Sequence, residues 1–143
     1  MRIVAGRWRG RAIAAPAGDL VRPTGDRVRE SWMSIVHSVL PEARVLDLCA
    51  GSGALGLEAL SRGAATCDFV EIATPAVRVI QENLDRLGGH DGAAIHRVDA
   101  GAAEPAGYLR PADAEHIRHT RRGAEVVAED GDLVGSGKRH GNP

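Results

Sequence analysis

Between residues 45 and 98, short apolar runs alternate with stretches of helical period. Outside that window the pattern weakens on both sides. The first run, 45–48, is apolar around a single acid, Asp47, and leads into a small-residue turn at 50–53. Good helix formers follow over 55–60, and Gly63 stands where a C-terminal stop belongs. A second run, 67–70, ends on Glu71. Thr74 then reads as an N-cap with Pro75 at the first helical position. Val77, Ile80, Leu84 and Leu87 share one face of the helix that follows, and Gly88-Gly89 stops it. A third run, 93–98, ends at Asp99. Strand, helix, strand, helix, strand predicts right-handed βαβ units around a parallel sheet.

The flanks read differently. Residues 2–5 and 11–15 are short candidate strands with Gly6-Arg7-Trp8-Arg9-Gly10 between them, the pattern of a hairpin with arginines at its turn. Those arginines either guard a solvated sheet edge or contact phosphate, with Trp8 as a stacking group. Residues 16–23 are loop. A helix is expected from Asp26, its candidate N-cap, to about Val39, with Val28, Trp32, Ile35, Val36 and Val39 on one face. Arg27 and Arg29 near its start oppose the helix dipole; either they meet a phosphate or carboxylate there, or they form a simple solvated first turn. Beyond Gly101 the pattern fails. Residues 102–109 allow a weak helix. Only Ile117, Val126-Val127 and Leu133-Val134 then stand out as apolar points, and 131–143 reads as disordered. The chain thus divides into 1–40, 41–107 and an unmatched tail, 108–143.

The chemistry concentrates in the glycine turn. Gly51, Gly53 and Gly56 make G-x-G-x-x-G between a strand and a helix, where bare backbone and free N–H groups approach a ligand closely. Glu71 lies 20 residues beyond Gly51, the place from which an acid accepts hydrogen bonds from both hydroxyls of a ribose. An adenosine-type cofactor is therefore expected. Asp47 distinguishes between candidates. A carboxylate just before the glycines opposes a pyrophosphate and suits a cationic end, such as the ammonium of S-adenosylmethionine. The alternative role for Asp47 is to hold backbone N–H groups of the turn. Asp99 completes a row of three acids at three successive strand ends.

Composition narrows the partners. The formal net charge is −1, so no global basic field argues for nucleic acid. Residues 1–30 differ, with arginines at 2, 7, 9, 11, 22, 27 and 29 against Asp19, Asp26 and Glu30. Cys49 and Cys67 are too few for a disulfide scaffold and read as buried thiols in a reducing cytosol. His116, His119 and His140 lack metal-ligand spacing, and no metal is expected. Without an apolar leader or a membrane-length run, the expectation is a soluble, cytoplasmic monomer.

Three segments together carry a resemblance. They are Met1-Arg2-Ile3-Val4-Ala5-Gly6-Arg7-Trp8-Arg9-Gly10-Arg11, then Arg22-Pro23-Thr24-Gly25-Asp26-Arg27-Val28-Arg29-Glu30, then the stretch from Leu46 to Ala64. Over residues 1 to about 100 the chain resembles the N-terminal part of the bacterial RsmD-type methyltransferases. The resemblance implies a Rossmann-like methyltransferase fold, here incomplete, with an N-terminal β-hairpin. It implies methyl transfer from S-adenosylmethionine to the exocyclic N2 of a guanine in 16S ribosomal RNA, free or in the small subunit. Asp47, Ala50, Gly51 and Gly53 would take the methionine end, Glu71 the ribose, and Asp99 with Ala100 the adenine. Arg7, Trp8, Arg9, Arg22, Thr24, Arg27 and Arg29 would line the RNA side.

The family also carries Asp-Pro-Pro and an aromatic at the end of a fourth strand, where main-chain and side-chain oxygens hold the target amine. That motif occurs nowhere in this chain, so no catalytic residue is assigned and impaired transfer is expected. Seventeen arginines to one lysine fit GC-rich coding, in which an out-of-frame tail would read as this one does. Two other readings stand beside it. One is a nicotinamide-dinucleotide oxidoreductase built on the glycine turn and Glu71. The other is a non-enzymatic RNA-binding fragment using residues 1–30.

Overall fold

The computed structural model describes residues 1–17 and 26–100, and the backbone of 126–127 and 133–134. Three parallel strands form its centre: β1 (Arg44–Leu48), β2 (Thr66–Val70) and β3 (Ala93–His96), paired in the order β1-β2-β3. Val45 aligns with Cys67, and Cys67 with Ala93. Helix α1 (Asp26–Ile35) precedes the sheet. Helices α2 (Ala54–Ser61) and α3 (Thr74–Leu87) make the two crossovers. The result is the expected incomplete Rossmann-like α/β fold. A small antiparallel pair, β4 (Val126–Val127) and β5 (Leu133–Val134), follows, with β4 beside β1. The sequence pattern had offered no strand there, since two-residue strands lack a readable period. The weak helix at 102–109 and the histidines at 116, 119 and 140 lie outside the described residues.

Strands β1 and β2 are buried almost throughout, as parallel strands covered on both faces must be. One core joins Val45, Leu57, Leu60, Phe69, Ile80 and Leu84 to Ile3, Trp8 and Ile13 of the N-terminal segment and to Met33, Val36 and Leu40. A smaller cluster of Leu46, Leu48 and Val70 covers the opposite face, with Ala100 against it. α2 is buried along its whole length. Gly56 explains how it lies so close to the sheet: a Cβ there would stand 2.4 Å from the Phe69 ring and 2.5 Å from Cys67 Sγ.

The expected N-terminal hairpin exists in minimal form. Arg2 and Ala12 make one antiparallel bridge. Ile3 and Ile13 donate their N–H groups to the carbonyls of Arg11 and Met1. The hairpin is no solvated edge, because it is seated on α2 and α3. Glu58 Oε2 and Oε1 accept the N–H groups of Val4 and Ala5 at 2.8 and 2.9 Å. Ser61 Oγ accepts from Trp8 and donates to the Ala5 carbonyl. Gly6 makes the seat possible. Its φ is +81°, and a Cβ there would fall 1.9 Å from the Ser61 carbonyl oxygen.

Several local expectations are corrected. α1 ends at Ile35 rather than near Val39, and a turn closed by the Val39 N–H on Val36 O follows it. Its inward face is Arg29 and Met33, continued beyond the helix by Val36 and Leu40. Val28, Ile35 and Val39 are 51%, 73% and 44% exposed. The face is rotated by one residue because Arg29, which apolar periodicity could not select, takes an inward position. The N-cap of α3 is Ala73, not Thr74, with Pro at the start of the helix as expected. Thr74 lies inside the first turn because Glu71 Oε1 already holds the Ala73 N–H at 2.8 Å. β3 stops at His96, two residues short of the apolar run.

Candidate cofactor site

Three strand ends and one turn build the site. β1 delivers Asp47 and then bends through Cys49, which has a φ of +57°. Gly51 and Gly53 follow at +57° and +75°, and Gly53 is the N-cap of α2. Left-handed backbone is sterically costly at Cys49, whereas Gly51 and Gly53 adopt it freely but hold it only where their neighbours fix them. Two acids do so. Glu71 Oε2 accepts the Gly51 N–H at 2.8 Å. Asp47 Oδ2 accepts the Gly56 N–H at 2.9 Å. The Ala50 N–H adds a bond to the Val70 carbonyl at 3.0 Å.

Asp47 is 1% exposed. Burial pushes its carboxyl up from 3.8 to about 7; the Gly56 hydrogen bond opposes that rise and the charge of Glu71 adds to it. Half of the alternative role considered above is thus realised, since one oxygen holds a backbone N–H of α2. Partial cover of the Cys49 sulfur, then the charges of Glu71, Asp47 and Asp99, raise that thiol. Both shifts come first from burial, and the negative charge gathered at the strand ends adds to each. Such a site favours a ligand with a cationic group.

Glu71 is half-buried, with each carboxylate oxygen on one N–H group. Each oxygen keeps a further lone pair. Asp99 is exposed beyond β3, and Ala100 is half-buried against Leu46, Leu48 and Val70. The sequence reading missed Ile72 and Val98, exposed apolar side chains beside Glu71 and Asp99. Their signal was there: an apolar residue next to an acid at each strand end. Cys49 is also a correction. It is exposed, because the turn throws it outward, whereas Cys67 is buried as expected. Among the described residues no cluster of His, Cys, Asp and Glu is arranged to hold a metal ion.

The residues expected on an RNA side divide. Arg7, Arg9 and Arg27 are exposed. Trp8 is 6% exposed and belongs to the core, with the Arg7 guanidinium 4.2 Å from the centre of its ring. It is placed for packing, not for stacking on a base, because the seat on α2 turns it inward. Arg29 is fully buried, and its Nη2 donates to the Arg2 carbonyl at 2.6 Å. Its guanidinium supports the hairpin from below instead of facing a phosphate. Arg11, outside the expected set, donates to the carbonyls of Leu87 and Arg86 and so closes the C-terminal end of α3. Arg22 and Thr24 lie outside the described residues.

A parallel βαβαβ sheet with acids at its strand ends around a glycine turn defines a Rossmann-like fold of the methyltransferase type. The solved structure of yhhF from Escherichia coli, assigned as a methyltransferase, superposes with a TM-score of 0.64 at 38% identity. It covers 71% of this chain and 54% of that one. The model of the family described as Conserved hypothetical protein 95 matches residues 1–112, and the chain belongs to that family, the RsmD family. YlbH of Bacillus subtilis, assigned as an rRNA methyltransferase, is 42% identical over 100 residues, 70% of this chain and 54% of its own length. Ribosomal RNA small subunit methyltransferase D of Escherichia coli K12 is 45% identical over 87 residues, 61% of this chain and 44% of its own. The chain spans about half the length of the curated relatives it matches. Among the described residues no helix is long and apolar enough to cross a membrane.

Proposed function

We propose that this chain is the cofactor-binding part of an S-adenosylmethionine-dependent methyltransferase. Its target is the exocyclic N2 of a guanine in small-subunit ribosomal RNA, free or assembled. The observation that carries the reading is the buried Asp47 carboxylate beside the positive-φ glycine turn, with Glu71 across it. A carboxylate kept in the protein interior at the cost of a raised pKa is poorly explained by one hydrogen bond to Gly56. A cationic ligand group beside it repays that cost.

The residues present fit the cofactor. Asp47 faces the ammonium, and Ala50, Gly51 and Gly53 let the backbone approach the methionine end. The remaining lone pairs of Glu71 accept the ribose hydroxyls. Asp99 and Ala100, with Ile72 and Val98, border the adenine. When bound, the cofactor supplies a methyl group activated by its sulfonium. Arg7, Arg9 and Arg27 offer exposed cations to phosphates; Arg22 and Thr24, outside the described residues, are assigned to the same side by family resemblance. The target amine is weakly nucleophilic, so holding it in line and dry is much of the catalysis. That task belongs to the Asp-Pro-Pro-aromatic motif, absent from these 143 residues. Little or no transfer is expected from this chain by itself, as radiolabelled methyl incorporation into 16S RNA would read.

Equilibrium binding tests the assignment. S-adenosylmethionine should bind in preference to NAD, and Asp47→Asn should weaken it by about tenfold or more, the loss of one charge-assisted contact. Equal binding of NAD, or retention of affinity in the variant, would overturn the reading.

A further inference from the structure

α3 carries one fully buried polar side chain that cofactor binding does not use, Asn83. Its Oδ1 accepts the N–H of Ala14 at 2.7 Å. Its Nδ2 donates to the Ala14 carbonyl at 3.1 Å and to the Ser52 carbonyl at 3.1 Å. Ala14 ends the N-terminal hairpin, and Ser52 is the middle of the glycine turn. The amide therefore pairs with the hairpin backbone as a neighbouring strand would, and spends its remaining donor on the turn.

The turn has particular need of that bond. It holds one strained left-handed residue, Cys49, and two conformationally free glycines, Gly51 and Gly53, so it keeps a single shape only while its surroundings fix it. Glu71 fixes the Gly51 end and Asp47 the α2 end. Asn83 holds the carbonyl between them. The same side chain holds the last residue of a hairpin whose arginines, Arg7 and Arg9, are exposed. Glu58 and Ser61 anchor only the earlier part of that hairpin, at Val4, Ala5 and Trp8.

We propose that Asn83 is a positioning residue that couples the N-terminal hairpin to the glycine turn. Docking of the hairpin and engagement of the turn by a cofactor then strengthen each other. The cofactor half of this inference rests on the proposed function; the mechanical half stands on the free chain. Linkage makes the effect reciprocal: whatever orders the turn protects Ala14, and whatever pulls on the hairpin loosens Ser52.

Amide hydrogen exchange on the full chain tests it, comparing wild type with Asn83→Ala and Asn83→Asp. Exchange at Gly53, whose N–H lies on the Ala50 carbonyl, should accelerate about tenfold or more in both variants, by local opening. Cys67 in β2, whose N–H is held by the Gly92 carbonyl, should change by less than about twofold. The aspartate keeps an acceptor for Ala14 and loses both donors, so Ala14 should accelerate in the alanine variant and much less in the aspartate one. Equal acceleration of Gly53 and Cys67 would reduce Asn83 to a structural residue and overturn the coupling, as would an unchanged Gly53. If the alanine variant does not fold, the aspartate variant carries the same contrast between Gly53 and Ala14. In wild type, S-adenosylmethionine should add protection at Gly53 and at Ala14 together. Protection confined to Gly53 overturns the coupling. Failure to bind overturns the proposed function alone, because the exchange pattern of the free chain still decides the role of Asn83.

Discussion

The N-terminal hairpin and the glycine turn use the same kind of backbone for opposite ends. In the hairpin, Gly6 takes a left-handed φ so that the chain can lie against another part of the protein, the end of α2. In the turn, Gly51 and Gly53 take left-handed φ values so that the chain can bend from β1 into α2, the bend around which the proposed cofactor site is built. Their charges diverge in the same way. Arginines of the hairpin and α1 are partly consumed by the fold, Arg11 on α3 and Arg29 beneath Arg2. The acids of the turn also make structural bonds, yet Asp47 does so at a cost that a cationic ligand would relieve. A charged residue is a better functional candidate where the fold holds it at a disadvantage than where it is merely numerous.

The largest effects should come from treating the hairpin as part of the core. Trp8→Ala removes a buried indole and should cost about 3–5 kcal/mol. Urea unfolding would show it, and a loss below about 1 kcal/mol would mean that Trp8 is a surface group after all. Gly6→Ala should cost about 3 kcal/mol, since the new Cβ meets a backbone oxygen that cannot step aside. Gly10→Ala is the internal control. Gly10 has the same φ, +81°, with nothing within 4 Å of the added Cβ. It should cost only the left-handed strain, about 1–2 kcal/mol. Equal losses at the two glycines would refute the close seat of the hairpin on α2.

Asp47 should sharpen the contrast from the other side, through pH. Its carboxyl titrates near 7 in the folded chain against 3.8 ordinarily, so the fold favours the protonated form. Its contribution to stability is therefore full below pH 3.8 and is lost as pH rises from there through 7. A difference of about three units corresponds to roughly 4 kcal/mol at the upper end. Asp47→Asn keeps an acceptor for the Gly56 N–H and removes the titration. It should leave the chain more stable than wild type at pH 8, by about 1–3 kcal/mol after relaxation, while weakening S-adenosylmethionine. Urea midpoints at pH 4 and pH 8 would check the sign. A variant less stable than wild type at pH 8 would mean that the charge is already compensated within the fold.

The unequal legibility of the two regions has a physical reason. From β1 to β3 the partners are set by period and by strand ends, so apolar alternation placed the sheet, both crossover helices and the positions of Asp47, Glu71 and Asp99. What was missed there was local: Thr74 displaced from the cap by Glu71, and Cys49 turned out by its own φ. The hairpin and α1 take their structure from residues far along the chain. Val4 and Ala5 depend on Glu58, Ala14 on Asn83 and Arg11 on the end of α3. No pattern within residues 1–40 announces those partners. Trp8 and Arg29 therefore read as RNA-facing groups and proved to be interior ones, while α1 turned by one residue. Asn83 was invisible for the same reason, an asparagine on a helix face otherwise apolar.

The smallest expected effect separates two chemically identical side chains of the hairpin. Arg11 gives its guanidinium to the last carbonyls of α3, so Arg11→Ala should cost about 1 kcal/mol of stability through the lost cap. Arg9 is exposed, so Arg9→Ala should change stability by less than about 0.5 kcal/mol. On the RNA side the order should reverse. If Arg9 meets a phosphate, its removal should weaken 16S RNA binding about equally across sequences and lower the slope of log affinity against log salt by about one. Arg11→Ala should leave that slope alone, because its guanidinium is held on the carbonyls of α3 and is not presented to a phosphate. Titrations at several salt concentrations would read both. A slope that falls equally for the two variants would mean that the hairpin field acts as a whole, and that the division of its arginines between fold and ligand does not govern RNA binding.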